Sequence, residues 1–158
     1  MGNHSFEIKT SIDFFIKLKE DYLEFNANKL SSKCAINCAM TAWHLAEWIY
    51  VEYNALANIN QFQTIEMFKN NIKSQCPSLQ IMQDITNGTK HFFLRKQSTI
   101  KTTELHEGSF SDDFSRDFDI SGLEIELTDG TKLYFEDEIE KVKIFWEGFF
   151  KNELGIIV

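Results

Sequence analysis

At 158 residues, with 43% hydrophobic and 25% charged side chains, the chain has the size and balance of one globular domain that buries about two-thirds of its unfolded surface. Its 15 phenylalanines against a single proline, with no low-complexity tract, exclude a largely disordered chain. The net charge of −8 is uneven, with 11 basic and 9 acidic side chains over residues 1–103 and 5 basic and 15 acidic over 104–158, which argues against a general nucleic-acid binder.

The N-terminal MGNHSFEIKTS has neither the apolar stretch nor the basic flank of a secretion signal. Phe6 also stands where the myristoylation pattern requires Ser or Thr, so a cytoplasmic protein without a membrane anchor is expected. Thr10 or Ser11 is the expected cap of a first helix, with Ile12, Phe15, Ile16, Tyr22 and Phe25 at inward spacing and Lys17, Lys19, Glu20 and Asp21 outward. "NANKLSS" reads as a turn, and Ser31 or Ser32 caps a second helix reaching about Tyr53. That helix holds the most apolar run, 15 of the 20 residues from Cys34 to Tyr53. Only 13 residues, Cys34 to Ala46, precede the first carboxylate, too few to span a bilayer, so a central core helix is expected. Cys34 and Cys38, four apart on one helix, are poorly directed for a disulfide, and with Cys76 they read as reduced core thiols. The alternative, a zinc site completed by a histidine, lacks the Cys-x-x-Cys spacing.

"NALANIN" is a break with two candidate asparagine caps, followed by a third helix with a Phe62, Ile65, Phe68, Ile72 stripe. Pro77 ends it and opens a fourth, with Leu79, Met82, Ile85 and Thr89 on one face. "STIKTTELHEGSF" is threonine-rich and extended; "FSDDFSRDFD" reads as irregular chain anchored by Phe110, Phe114 and Phe118. "LEIELTDGTKLYF" alternates as a hairpin. A two-residue Asp129–Gly130 loop would put Leu133 and Phe135 behind Glu124 and Glu126, whereas a three-residue Thr128–Asp129–Gly130 loop pairs Ile125 with Leu133 and Leu123 with Phe135. Only the longer loop puts both apolar sets on one face, with Gly130 in the left-handed position. A terminal helix with an acidic first turn follows, facing Ile139, Val142, Trp146 and Phe149 inward. The expected architecture is a single α+β domain: a four-helix N-terminal bundle, a small antiparallel sheet and a C-terminal helix.

Phosphate-loop, nucleophile-elbow and zinc-protease motifs are absent from the sequence. Two helix faces remain. "WHLAEW" sets His44 and Glu47 three apart, read either as a hydrogen-bonded pair inside the core or as a site. "DITNGTKH" sets Asp84, Asn87, Gly88 and His91 on one face, where Gly88 leaves room for a ligand or a neighbouring helix. His91 is then either a dipole-favoured terminal imidazole or a functional group. An alternative joins His44, Glu47, Asp84 and His91 as metal ligands, although the His-x-x-Glu order reverses the usual di-iron motif and the carboxylates are few.

The helical first two-thirds, about Thr10 to Lys96, with "NGTKH" closing the fourth helix, resembles the HEPN superfamily of helical-bundle proteins from bacterial toxin, defence and RNA-processing systems. Active members carry an arginine and, shortly after it, a histidine, often with a polar residue following the arginine. His91 takes the histidine position and Asn87 the polar one; the arginine position falls at Thr86, a departure from the pattern, and Lys90 is the adjacent cation. The resemblance implies cofactor-free, metal-independent RNA cleavage in a toxin, defence or prophage setting. In it His91 is general acid or base, Lys90 stabilises the phosphorane charge, and the site is composed across a homodimer. The missing arginine equally implies an inactive or partner-binding relative. RNA contact would run through Lys90, Arg95, Lys96 and Lys101, which otherwise form a solvated basic edge. The alternative function is a non-enzymatic module whose acidic face, Asp112 to Glu138, meets a basic protein partner.

Overall fold

The computed structural model describes residues 4–92, 98–111, 115, 117 and 119–158. Helix α1 (Ser11–Ala27) starts at Thr10, whose hydroxyl accepts from Asp13 N at 3.1 Å while the Asp13 carboxylate accepts from Thr10 N at 2.9 Å. This reciprocal capping box satisfies donors that the first helical turn leaves orphaned. The amides of Lys9 and Thr10 and the Thr10 hydroxyl hold the Asp13 carboxyl below its usual range, with the Lys9 bond the largest cause. Phe15, Leu18 and Phe25 are buried, but Ile16, expected inward, is 44% exposed because the α1 stripe facing α2 is narrower than its apolar residues.

Ser31 caps α2 (Ser32–Glu52), which buries ten side chains and lies at the centre of the helical layer. Among the described residues no helix is long and apolar enough to cross a membrane. All three cysteines are free and buried, and burial pushes the Cys38 thiol up to about 12. The asparagine-rich break contains a four-residue helix, α3 (Ala57–Asn60), whose N-cap position is Leu56 rather than either asparagine. Thr64 caps α4 (Ile65–Gln75), so Phe62 precedes the helix yet still packs on Phe68, ring centroids 5.6 Å apart. Pro77 occupies the N-cap position of α5 (Ser78–Lys90). Thr89, expected inward, is exposed.

Strands β1 (Ile100–His106), β2 (Gly122–Leu127) and β3 (Lys132–Tyr134) form an antiparallel sheet in the order β1-β2-β3. Ile125 pairs with Leu133, Gly130 N donates to Leu127 O at 2.9 Å, and Gly130 has φ +87°. The turn is therefore the three-residue one, with glycine where a side chain would be strained. Phe135, expected to extend the strand opposite Leu123, instead opens α6 (Phe135–Glu153) and buries edge-on against Phe25. Ile139, Val142, Trp146 and Phe149 all face inward. Glu138, in the acidic first turn, is buried and accepts from Ser78 Oγ at 2.5 Å and Lys141 Nζ at 2.7 Å, tying α6 to α5. Phe114 and Phe118 lie outside the described residues.

The chain between β1 and β2 is pinned at its neck. His106 Nε2 lies 2.7 Å from Asp119 Oδ1, while Ser109 N and Oγ donate to Asp119 Oδ2 at 3.1 and 3.2 Å. A nucleophilic triad needs the imidazole between hydroxyl and carboxylate; here the carboxylate is the middle member, so the serine is not activated. The hydrogen bond to Asp119 raises His106 above its ordinary 6.5 and lowers Asp119 below 3.8. A raised histidine stabilises the fold below 6.5 and loses that effect as pH rises through its folded value; the lowered aspartate loses its effect as pH falls below 3.8. The clasp is therefore strongest between these limits. In His106→Gln, thermal melts across pH 4–8 should lose the part of the acid-side stabilisation that the unsubstituted chain shows near pH 5–6. A profile unchanged by the substitution would refute the clasp.

Candidate functional site

Helix α5 carries the candidate residues because its two halves do different work. Leu79 and Met82 bury its first turns. Asp84 is 7% exposed, and its carboxylate accepts from Gln80 Nε2 at 2.9 Å, Thr99 N at 2.9 Å and Thr99 Oγ1 at 2.5 Å. It therefore docks the start of β1 onto the helix. Beyond it the helix emerges into solvent: Asn87 is half-buried, and Gly88, Thr89 and Lys90 are exposed. His91 N donates to Asn87 O at 3.1 Å to close the last turn, and His91 itself turns to an extended conformation with its ring exposed. Neither the Lys90 ammonium nor the His91 imidazole is bound to any described residue.

The four residues expected on one face thus divide. Asp84 and Gly88, one turn apart, line a cleft of about 410 Å3 between α2, α5 and the sheet, whereas Asn87, Lys90 and His91 do not. Of the remaining basic residues proposed for RNA contact, Lys101 is paired with Glu126 at 2.9 Å, and Arg95 and Lys96 lie outside the described residues.

His44 and Glu47 are not a buried pair. Both are exposed on the outer strip of α2, beside Met40 and Val51, which are themselves 37% and 63% exposed. They edge an open groove whose wall is Trp48 stacked on Phe14, centroids 4.7 Å and 11° apart. Glu47 reaches Lys69 at 3.9 Å. Exposed as it is, the His44 ring is partly shielded from water by the neighbouring helices, and this holds its pKa below the ordinary value. Glu47 opposes that shift, and the positive fields of Lys69, Lys90 and Lys17 reinforce it.

Among the described residues no three His, Cys, Asp or Glu side chains are placed to hold a metal ion. His44, Glu47, Asp84 and His91 are therefore not brought together as ligands: Asp84 faces β1, while His44 and Glu47 lie on the solvent side of α2. The contributions to stability follow from this placement. Asp84→Ala strands the Thr99 and Gln80 donors and should cost about 1–2 kcal/mol, lowering the melting temperature by about 2–8 °C. His44→Ala, on an exposed strip, should stay within about 0.5 kcal/mol. Melts in which His44→Ala falls further than Asp84→Ala would invert this assignment.

The described carboxylates of the acidic segment are mostly engaged within the fold. Asp119 holds His106, Glu124 holds Lys132 at 3.0 Å, Glu126 holds Lys101 and Glu136 holds Lys29 at 2.6 Å. Asp112 and Asp113 lie outside the described residues. Two residues that periodicity did not single out, Glu104 and Leu105 on β1, line the cleft. No spacing signal marks them, because their exposure follows from β1 being at the sheet edge.

No family model matches the chain, and no curated protein or solved structure matches it either.

Proposed function

We propose that the chain is a HEPN-like RNA-cleaving protein in which the exposed end of α5, Asn87, Lys90 and His91, meets the RNA backbone. The observation that carries this reading is the uncompensated exposure of Lys90 and His91 side by side at a helix terminus, while the described acidic residues are largely engaged elsewhere. A cation and an imidazole with no partner among the described residues are available to meet a phosphate and its adjacent ribose.

In the proposed reaction His91 takes the proton of a ribose 2′-hydroxyl, and the 2′-oxygen attacks the adjacent phosphorus. The bond from phosphorus to the 5′-oxygen breaks, leaving a 2′,3′-cyclic phosphate and a 5′-hydroxyl. Lys90 stabilises the extra charge on the phosphorane, the part an arginine plays in active family members, and Asn87 orients the phosphate. The leaving oxygen takes its proton from the His91 of a second copy in a homodimer, or from water. The chemistry requires no cofactor. Incubation of the purified chain with single-stranded RNA, with and without chelator, tests this: cyclic-phosphate ends should appear equally in both. Cleavage that stops on chelation, or that leaves 5′-phosphate ends, would overturn the assignment.

A further inference from the structure

A second feature of the molecule makes no use of Asn87, Lys90 or His91. Strand β1 is an edge of the three-stranded sheet, and its five central residues, Lys101 to Leu105, are all exposed. Among the described residues no strand lies on its other side. Such an edge presents main-chain donors and acceptors in register for a further strand. The register shift at Ile100/Thr102 limits regular pairing to Thr102–His106, still enough for a short peptide.

Next to that edge is the cleft of about 410 Å3, bounded by Ile36, Ile85, Leu105 and Leu123. Leu105 is 46% exposed, a large apolar surface facing open space. Gly88 sits on the opposite wall, and a Cβ built there meets nothing within 4 Å. A glycine inside a helix weakens it by about 1 kcal/mol relative to alanine, and no intramolecular crowding calls for one here. Its missing side chain keeps the backbone of α5 accessible from the cleft. The charged lining residues supply the remaining clue. Asp84 is bound to Thr99, Lys101 to Glu126 and Glu124 to Lys132, whereas Glu104 has no hydrogen bond or ion pair among the described residues.

From this juxtaposition we infer that an extended peptide segment of a partner protein adds to the sheet along β1, in the groove between β1 and α5. Alternate apolar side chains of the peptide fill the cleft over Ile85 and Leu105, and a lysine or arginine pairs with Glu104. Main-chain pairing supplies affinity, and the cleft and Glu104 supply specificity.

A display library of random nine-residue peptides, selected on the full chain, tests this. The recovered peptides should alternate apolar residues, carry one Lys or Arg and lack proline in their centre. Gly88→Leu, which fills the cleft with a better helix former and should melt no lower than the unsubstituted chain, should weaken their binding at least tenfold. Glu104→Lys should shift selection towards peptides carrying Glu or Asp. No enrichment, proline-rich or helically spaced peptides, or binding indifferent to Gly88→Leu and Glu104→Lys would each overturn the inference. Because His91→Ala should bind the same peptides, loss of RNA cleavage and loss of peptide binding report on different surfaces.

Discussion

Replacing His91 by alanine should reduce cleavage of single-stranded RNA by about 10²–10⁴-fold, the contribution usual for a positioned acid or base. The fold should be untouched. His91 closes α5 through its backbone N–H, which the substitution keeps, and its ring is exposed with no partner among the described residues. The melting temperature should therefore move by no more than about 1–2 °C, in line with other exposed positions. Lys90→Ala should also slow cleavage, and Lys90→Arg should preserve or raise it, since the guanidinium offers bidentate contact to phosphate. The measurement is the rate of cyclic-phosphate formation per folded protein. Full activity in His91→Ala would remove the site; a large fall in melting temperature would instead make His91 structural.

The largest stability effect is expected at Trp146. It is fully buried on α6, with Phe145 and Phe149 at ring distances of 5.1 and 5.6 Å, and its indole N–H donates to Ala42 O on α2 at 3.0 Å. Trp146→Ala removes this packing and leaves a cavity where α6 meets the central helix, costing about 3–5 kcal/mol. For a domain of this size that is a fall of about 6–20 °C. Trp146→Phe keeps most of the ring contacts but loses the hydrogen bond, so it should fall by markedly less. Chemical or thermal unfolding of the two variants separates packing from hydrogen bonding. A Trp146→Ala protein melting within 2 °C of the unsubstituted chain, a shift of no more than about 1 kcal/mol, would show that α6 does not complete the core.

Local chemistry was readable along the chain wherever a residue answers to its immediate neighbours. Thr10 and Ser31 cap their helices because a short hydroxyl reaches the amide three residues on, and no tertiary contact is needed for that. The hairpin register followed from the alternation of Leu123, Ile125, Leu133 and Phe135 together with a glycine suited to positive φ, although Phe135 itself left the strand to begin α6. The α+β class and the inward face of α6 came from the same periodicity.

Which polar side chains are buried was decided only by the tertiary structure. His44 and Glu47 lie on a helix so apolar that every face reads as core, and the neighbours that cover most of α2 leave the strip with Met40 and Val51 open to water. Asp84, which reads as a site residue, is buried because the chain entering β1 returns across α5 and the hydroxyl and amide of Thr99 meet the carboxylate. Glu138 belongs by pattern to a solvated acidic turn, yet Ser78, sixty residues earlier, captures it. Each outcome depends on a contact between segments far apart in sequence, where the energy of pairing a buried polar group outweighs any local preference. The exposure of Lys90 and His91 is the same physics in reverse: no segment of the described fold returns to cover the end of α5.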